Sequence, residues 1–156
     1  MRMLALVSMA VAGCSSSSGS GGASGGGDAA AAATCQAGML VIDGTSAGSP
    51  HGAYALSNAQ TAGTDFSATL PAGGSVALSW SGDATAGPVA VTGKLFIPAD
   101  DEGPPATWCI YAPSTLRISG ADGILDMNML PAANDICEGA GSATAVTAAA
   151  CFDSAP

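Results

Sequence analysis

The stretch that decides the fold reads Ser114-Thr115-Leu116-Arg117-Ile118-Ser119, then Gly120-Ala121-Asp122-Gly123, then Ile124-Leu125-Asp126-Met127-Asn128-Met129-Leu130. Apolar and polar residues alternate on both sides of the glycine-containing segment, as in a β-strand that buries one face. The pattern predicts an antiparallel hairpin, because directly opposed side chains must agree in character. The predicted pairs are Ile118–Leu125 and Leu116–Met127 on the buried face, and Arg117–Asp126 on the other face.

The same two-residue period recurs upstream of this hairpin. It covers residues 65–70, 76–81 and 89–97, and clusters of Gly, Pro, Asp and Asn separate these runs. No long helical period interrupts them. Short strands separated by turn signals are typical of antiparallel all-β domains. We therefore predict an all-β fold of about eight to ten short strands, an antiparallel β-sandwich with a small β-barrel as the alternative.

The first residues of the chain carry an export signal. Arg2 is followed by an apolar run from Met3 to Ala12, which is too short to span a bilayer as a helix. The run ends in Val11-Ala12-Gly13-Cys14, which resembles the lipobox of bacterial lipoproteins. The resemblance implies cleavage before Cys14 and acyl chains, palmitate among them, on that cysteine. It also implies anchoring to the cell envelope, at the outer membrane if the source is Gram-negative, because Ser15 follows the cysteine.

The chain divides into three parts on composition. Residues 1–13 are the predicted signal peptide, and residues 14–33 are the lipidated cysteine with a linker of Ser, Gly and Ala. Such a linker cannot form a core and acts as a flexible spacer. Residues 34–156 have the length of one domain. After cleavage, Lys94 and Arg117 remain against twelve acidic residues, and this charge excludes nucleic acid as a partner.

Cysteine usage agrees with export. Setting Cys14 aside leaves four cysteines in the domain, and an even number in an exported chain indicates two disulfides with three possible connectivities. Extending the hairpin ladder favours Cys109–Cys137, with Cys35–Cys151 joining the two ends of the domain. A zinc site is disfavoured because no Cys-x-x-Cys pair occurs.

Two groups of residues are candidates for binding. Asp100, Asp101 and Glu102 form an acidic cluster that could hold calcium, although its spacing matches no EF-hand. Trp108, Tyr111 and Phe96 are candidates for an aromatic platform that packs against a sugar or a protein. No cofactor is expected apart from that possible calcium ion.

These features together predict a function class. We expect a non-catalytic envelope lipoprotein that serves as a structural or protein-interaction module, held at the membrane by its lipid. The alternative is a binding module for a glycan or for calcium. A third reading is a hydrolase with an unrecognised site, in which the single histidine, His51, would be the natural base.

Overall fold

A computed structural model describes residues 34–44, 48–99, 105–133, 136–137 and 144–153. The predicted signal peptide and linker, residues 1–33, lie outside the described residues. The described part contains nine strands and one 3-10 turn, Pro71–Gly73. The strands are β1 (Met39–Gly44), β2 (Gly52–Ala55), β3 (Ser57–Ala62), β4 (Asp65–Thr69), β5 (Ser75–Trp80), β6 (Val89–Ile97), β7 (Ala106–Ser119), β8 (Asp122–Pro131) and β9 (Val146–Asp153).

All nine strands belong to one antiparallel sheet, in the order β2-β1-β9-β8-β7-β6-β5-β4-β3. The sheet is nearly closed into a barrel. The all-β antiparallel prediction is therefore confirmed. Of the two predicted architectures, the observed one corresponds to the small barrel, because a single sheet curls round its own core instead of packing against a second sheet.

The two edges of the sheet are consecutive in the chain. Strand β2 pairs with β1, and β3, which begins after the single residue Leu56, pairs with β4. Residues 52–62 thus pair with β1 before Leu56 and with β4 after it. This segment connects the two ends of the sheet. The Leu56 amide donates to the Gly38 carbonyl oxygen at 2.8 Å, and the Ser57 hydroxyl donates to the Thr69 carbonyl oxygen at 3.2 Å.

The core follows the predicted alternation. Along β4 and β5 every second side chain is buried, beginning with Phe66 and ending with Trp80. On β6, Val91 and Leu95 are buried, as expected from the sequence pattern. The remaining large core side chains come from the other walls, and they are Leu40, Ile42, Leu70, Ile110, Leu116, Leu125, Met127, Met129 and Phe152.

One aromatic contact crosses the inside of the barrel. The rings of Phe66 on β4 and Phe152 on β9 stack with centroids 4.2 Å apart and an interplanar angle of 18°. Both side chains are almost fully buried. Gly123 on β8 pairs with Phe152, and a Cβ built on Gly123 would overlap the Phe152 ring. The glycine is therefore required by packing, since its backbone conformation is not left-handed.

The hairpin of β7 and β8 forms, but its predicted register is wrong by two residues. Leu116 pairs with Leu125, Arg117 with Ile124, and Thr115 with Asp126. The reason is the turn: Ser119 pairs with Asp122, so only Gly120 and Ala121 lie between the strands. Gly120 has a φ of 67°, which suits the first central position of a two-residue hairpin turn.

A two-residue shift leaves each side chain on its predicted face. Leu116, Leu125 and Met127 are buried, and Ile118 packs against the core. The expected Arg117–Asp126 pair is lost from the ladder, because its two members now lie opposite other residues.

A bulge interrupts β7 between Tyr111 and Thr115, and a buried serine fills it. Ser114 is fully buried, and its hydroxyl donates to the Tyr111 carbonyl oxygen at 2.6 Å. The hydroxyl oxygen of Ser114 in turn accepts a hydrogen bond from the Asn128 amide at 2.8 Å. The hydroxyl thus replaces the ladder bonds that the bulge removes.

Both predicted disulfides are present with the favoured connectivity. Cys35 and Cys151 have Cα atoms 5.1 Å apart, and Cys109 and Cys137 have Cα atoms 5.5 Å apart. These separations lie within the usual range for a disulfide. An isolated β-bridge between Ala133 and Ile136 directly precedes Cys137, and the disulfide joins Cys137 to Cys109 on β7.

Replacing Gly123 by Ala should destabilise the fold by about 1–3 kcal/mol, because the new methyl group displaces the Phe152 ring. Urea denaturation followed by tryptophan fluorescence measures the effect. Gly87→Ala is the matched control, since a Cβ there meets no atom within 4 Å, and it should cost little. Equal losses of unfolding free energy in the two variants would contradict the packing argument. The argument would also be contradicted if Gly123→Ala cost as much in a Phe152→Leu protein as in the wild type.

Replacing Ser114 by Ala should cost about 1–3 kcal/mol, because it leaves the partly buried Asn128 amide without its acceptor. Ser75→Ala, an exposed serine on β5, should change the free energy of unfolding by less than about 0.5 kcal/mol. Hydrogen exchange of the Asn128 amide provides a local readout and should accelerate only in the Ser114 variant. Unchanged protection of this amide would mean that Ser114 does not hold the bulge.

Candidate functional site

The predicted lipidation site and cation loop cannot be placed in the fold. Cys14 and the cluster of Asp100, Asp101 and Glu102 all lie outside the described residues. Within the residues that the structure describes, no group of three or more His, Cys, Asp or Glu side chains could hold a metal ion. No helix in this part of the chain is long and apolar enough to cross a membrane.

The three candidate aromatic residues do not share one face. Trp108 pairs with the buried Leu95 and packs against the core from inside the barrel. Phe96 and Tyr111 lie on the outer face, since each alternates with inward-facing neighbours in its strand. The structure thus separates the three predicted residues: Trp108 packs against the core, and the half-buried Phe96 and Tyr111 lie outside.

The outer surface of three neighbouring strands carries open grooves. We call it the β5–β7 face. It consists of the outward side chains of β5 (Ser75, Ala77, Ser79), β6 (Thr92, Lys94, Phe96) and β7 (Thr107, Cys109, Tyr111). Hydroxyl groups and small side chains dominate it, with one ammonium group and two aromatic rings.

Lys94 lies at the centre of this face, between Ala77 on β5 and Cys109 on β7. Two open grooves adjoin it. One, of about 440 Å³, extends toward Tyr111 and the Cys109–Cys137 bridge. The other, of about 240 Å³, extends toward Phe96 and is also lined by Ser75 and Thr107. Lys94 lines both grooves, so the two lie next to each other on this face.

A carboxylate borders the same face. Asp65 on β4 pairs with Ser79, and the Ser79 hydroxyl donates to the Asp65 carboxylate at 2.5 Å. Ser79 also lines the larger groove and a third hollow, of about 300 Å³, beside Trp80 and Thr92. The ammonium donor of Lys94 on β6 and the carboxylate acceptor of Asp65 on β4 thus lie on the two strands that flank β5, with hydroxyl groups between them.

The loop between β5 and β6 is held by an acidic side chain. The Thr85 hydroxyl and amide donate to the Asp83 carboxylate at 2.6 and 2.9 Å, and these bonds, the hydroxyl first, lower the pKa of Asp83. Because the pKa of Asp83 is lower in the folded state, the ionised carboxylate stabilises the fold at pH values above its ordinary pKa of 3.8. This stabilisation is lost as the pH falls through the pKa of the folded state. The bonds fix where β6 enters the face.

The hydrolase reading has two sequence features, His51 and a Gly-x-Ser-x-Gly motif whose serine, Ser46, lies outside the described residues. Gly44-Thr45-Ser46-Ala47-Gly48 has the Gly-x-Ser-x-Gly spacing of a nucleophile elbow, a match that inspection of the sequence alone should have raised. An elbow lies between a strand and a helix. Here Gly44 ends β1, and the next described strand is β2, its antiparallel partner. His51 is exposed just before β2, and its carbonyl oxygen accepts a hydrogen bond from the Tyr54 hydroxyl at 3.0 Å.

Sequence reasoning missed the β5–β7 face as a unit. It placed Lys94 and Phe96 on the face opposite Leu95, as observed, but it had no means of aligning β5 and β7 beside them. Comparison with protein-family models, with curated proteins and with solved structures finds no match to this chain.

Proposed function

We propose that the protein is an exported lipoprotein, anchored to the cell envelope through Cys14, whose β-barrel domain is a non-catalytic interaction module. If the source is Gram-negative, the anchor lies in the outer membrane. The partners of the module are envelope proteins or glycans, and nucleic acid is excluded by the net charge of −9.

The pairing of the domain cysteines carries this proposal. Cys35–Cys151 and Cys109–Cys137 together use all four cysteines of the domain. Disulfides of this kind persist in oxidising compartments, which supports export. The fifth cysteine has no further cysteine in the chain to pair with, and it is the one that follows Val11-Ala12-Gly13. Its position in the lipobox-like sequence gives it a separate role, lipid attachment.

The junction between linker and domain fits the same role. Residues 15–33 consist of Ser, Gly and Ala with one Asp, and a chain of this composition and length has an expected root-mean-square reach of roughly 24 Å. The domain begins directly after it, and Cys35 ties that beginning to β9. A tether of this length would keep the barrel away from the lipid head groups while Cys14 holds the chain at the membrane.

Lipidation is tested by expressing the full chain in a bacterial host with a fatty-acid probe. The wild-type protein should incorporate the probe and fractionate with membranes, because two or more acyl chains hold a protein stably on a bilayer. The matched control is Cys14→Ser, which should lose both the label and the membrane association. Thiol titration after denaturation should still find both disulfides in that variant.

Two results would contradict the proposal. The first is a Cys14→Ser protein that keeps the label and remains in the membrane fraction. The second is hydrolase activity of the purified chain that disappears when His51 alone is replaced, since this would make the domain an enzyme.

A further inference from the structure

We propose that the β5–β7 face is a binding site for a neutral glycan chain, with Lys94 at its centre. This inference names a ligand for the interaction module proposed above. It rests on that proposal for the setting at the envelope, whereas binding by the barrel itself does not require the lipid anchor.

The polar groups of the face match the chemistry of sugar hydroxyls. Each hydroxyl group of a sugar both donates and accepts hydrogen bonds, so a sugar-binding site needs both kinds of partner. The Lys94 ammonium supplies donors, and the Asp65 carboxylate, already engaged by Ser79 at 2.5 Å, supplies acceptors. Neighbouring diol groups of one sugar chain can use both, whereas a purely anionic ligand would be repelled by Asp65.

The two outer aromatic side chains lie on opposite sides of Lys94. Phe96 is two residues farther along β6, and Tyr111 is two residues beyond Cys109, which lies opposite Lys94 on the antiparallel β7. At about 3.4 Å per residue the two positions are about 14 Å apart along the strands. Aromatic rings present apolar surfaces to the C–H faces of pyranose rings. This spacing suits an extended oligosaccharide better than a single monosaccharide.

The larger groove is open to solvent where a sugar chain would lie, and a disulfide forms part of its border. Ala77 beside Lys94 has only a methyl group, which leaves the larger groove of about 440 Å³ accessible from solvent. On the other side the Cys109–Cys137 bridge lines the same groove. A rigid, preformed surface loses little conformational entropy on binding.

The position of the face in the barrel also favours an external ligand. Counting the partner-switching segment 52–62 as one wall, the walls follow the order β1, β9, β8, β7, β6, β5, β4 and segment 52–62. The described domain begins at the β1–β9 side, where Cys35 is bonded to Cys151. The point across the barrel from β1 and β9 lies between β6 and β5. The β5–β7 face therefore lies on the side of the barrel away from the first described residues.

A protein partner is disfavoured by the surface of the described residues. The cores of protein interfaces are enriched in exposed aromatic and aliphatic anchors. Ile136, 55% exposed, is the one large hydrophobic side chain that the described part of the chain exposes. It lies beside Cys137, at the edge of the face and not in its centre. The face itself is polar and shallow, as expected for a glycan site.

The test uses the full chain carrying Cys14→Ser, which stays in solution, in affinity electrophoresis through gels containing one polysaccharide each. The probes are a neutral β-glucan, a neutral α-glucan, a neutral galactan and, for comparison, anionic polygalacturonate. At least one neutral probe should retard the protein, and polygalacturonate should not. Lys94→Ala and Tyr111→Ala should each weaken the retardation at least fivefold.

The control for the lost charge is Arg117→Ala, which removes the other cation of the domain from outside the face and should not change the retardation. A blocking variant, Ala77→Arg, fills the groove without removing a contact and should also abolish binding, while Ala53→Arg, an exposed alanine on β2, should not. Thermal melting and thiol titration verify that each variant is folded. If Tyr111→Ala does not fold, the binding result for the blocking variant Ala77→Arg decides the test.

The proposal is overturned if no neutral polysaccharide retards the protein, or if polygalacturonate alone does. It is equally overturned if Lys94→Ala and Ala77→Arg both bind like the parent protein. These outcomes leave the lipid-labelling result untouched, and loss of labelling would leave the gel result untouched. Failure of the glycan site and failure of the anchor are thus separate findings.

Discussion

The stacked pair of Phe66 and Phe152 is the contact on which the barrel depends. Hydrogen bonds connect each strand to its neighbours, but β4 and β9 are not neighbours: along the sheet, four other strands, β5 to β8, lie between them. The two rings, 4.2 Å apart, connect these walls directly through the interior. Aromatic pairs of this kind add about 0.5–1.5 kcal/mol beyond the apolar area that they bury. The absence of a side chain at Gly123 is what makes room for one of them.

Because the chain changes partner at Leu56, one short segment covers both ends of the sheet. A sheet that ends in exposed edge strands invites pairing with other chains. Here the first half of one segment covers β1 and its second half covers β4, so each long strand of the barrel has a partner on both sides. The segment itself is short in each half and is kinked by Asn58, whose φ of 52° lies in the left-handed region. A kinked, short strand is a poor template for a further strand.

Much of this fold was predictable from the sequence, because local patterns determine it. The two-residue period identified the strands and their buried faces, and cysteine parity with the hairpin ladder gave both disulfides. The hairpin register was not predictable, because Asp122 and Gly123 look like turn residues. Only the packing of Phe152 onto Gly123 shows that this glycine belongs to a strand. The β5–β7 face was not predictable for a related reason: it depends on which strands are neighbours, and that is a property of the whole sheet.

The Cys35–Cys151 bridge has a mechanical consequence if the domain is tethered as proposed. A force transmitted through the linker would reach the fold at Cys35, four residues before β1 begins. Without the bridge, that force would act first on β1, which pairs with β2 over four residues and with β9 over five. With the bridge, the load passes covalently to Cys151 in β9, which also pairs with β8 over eight residues.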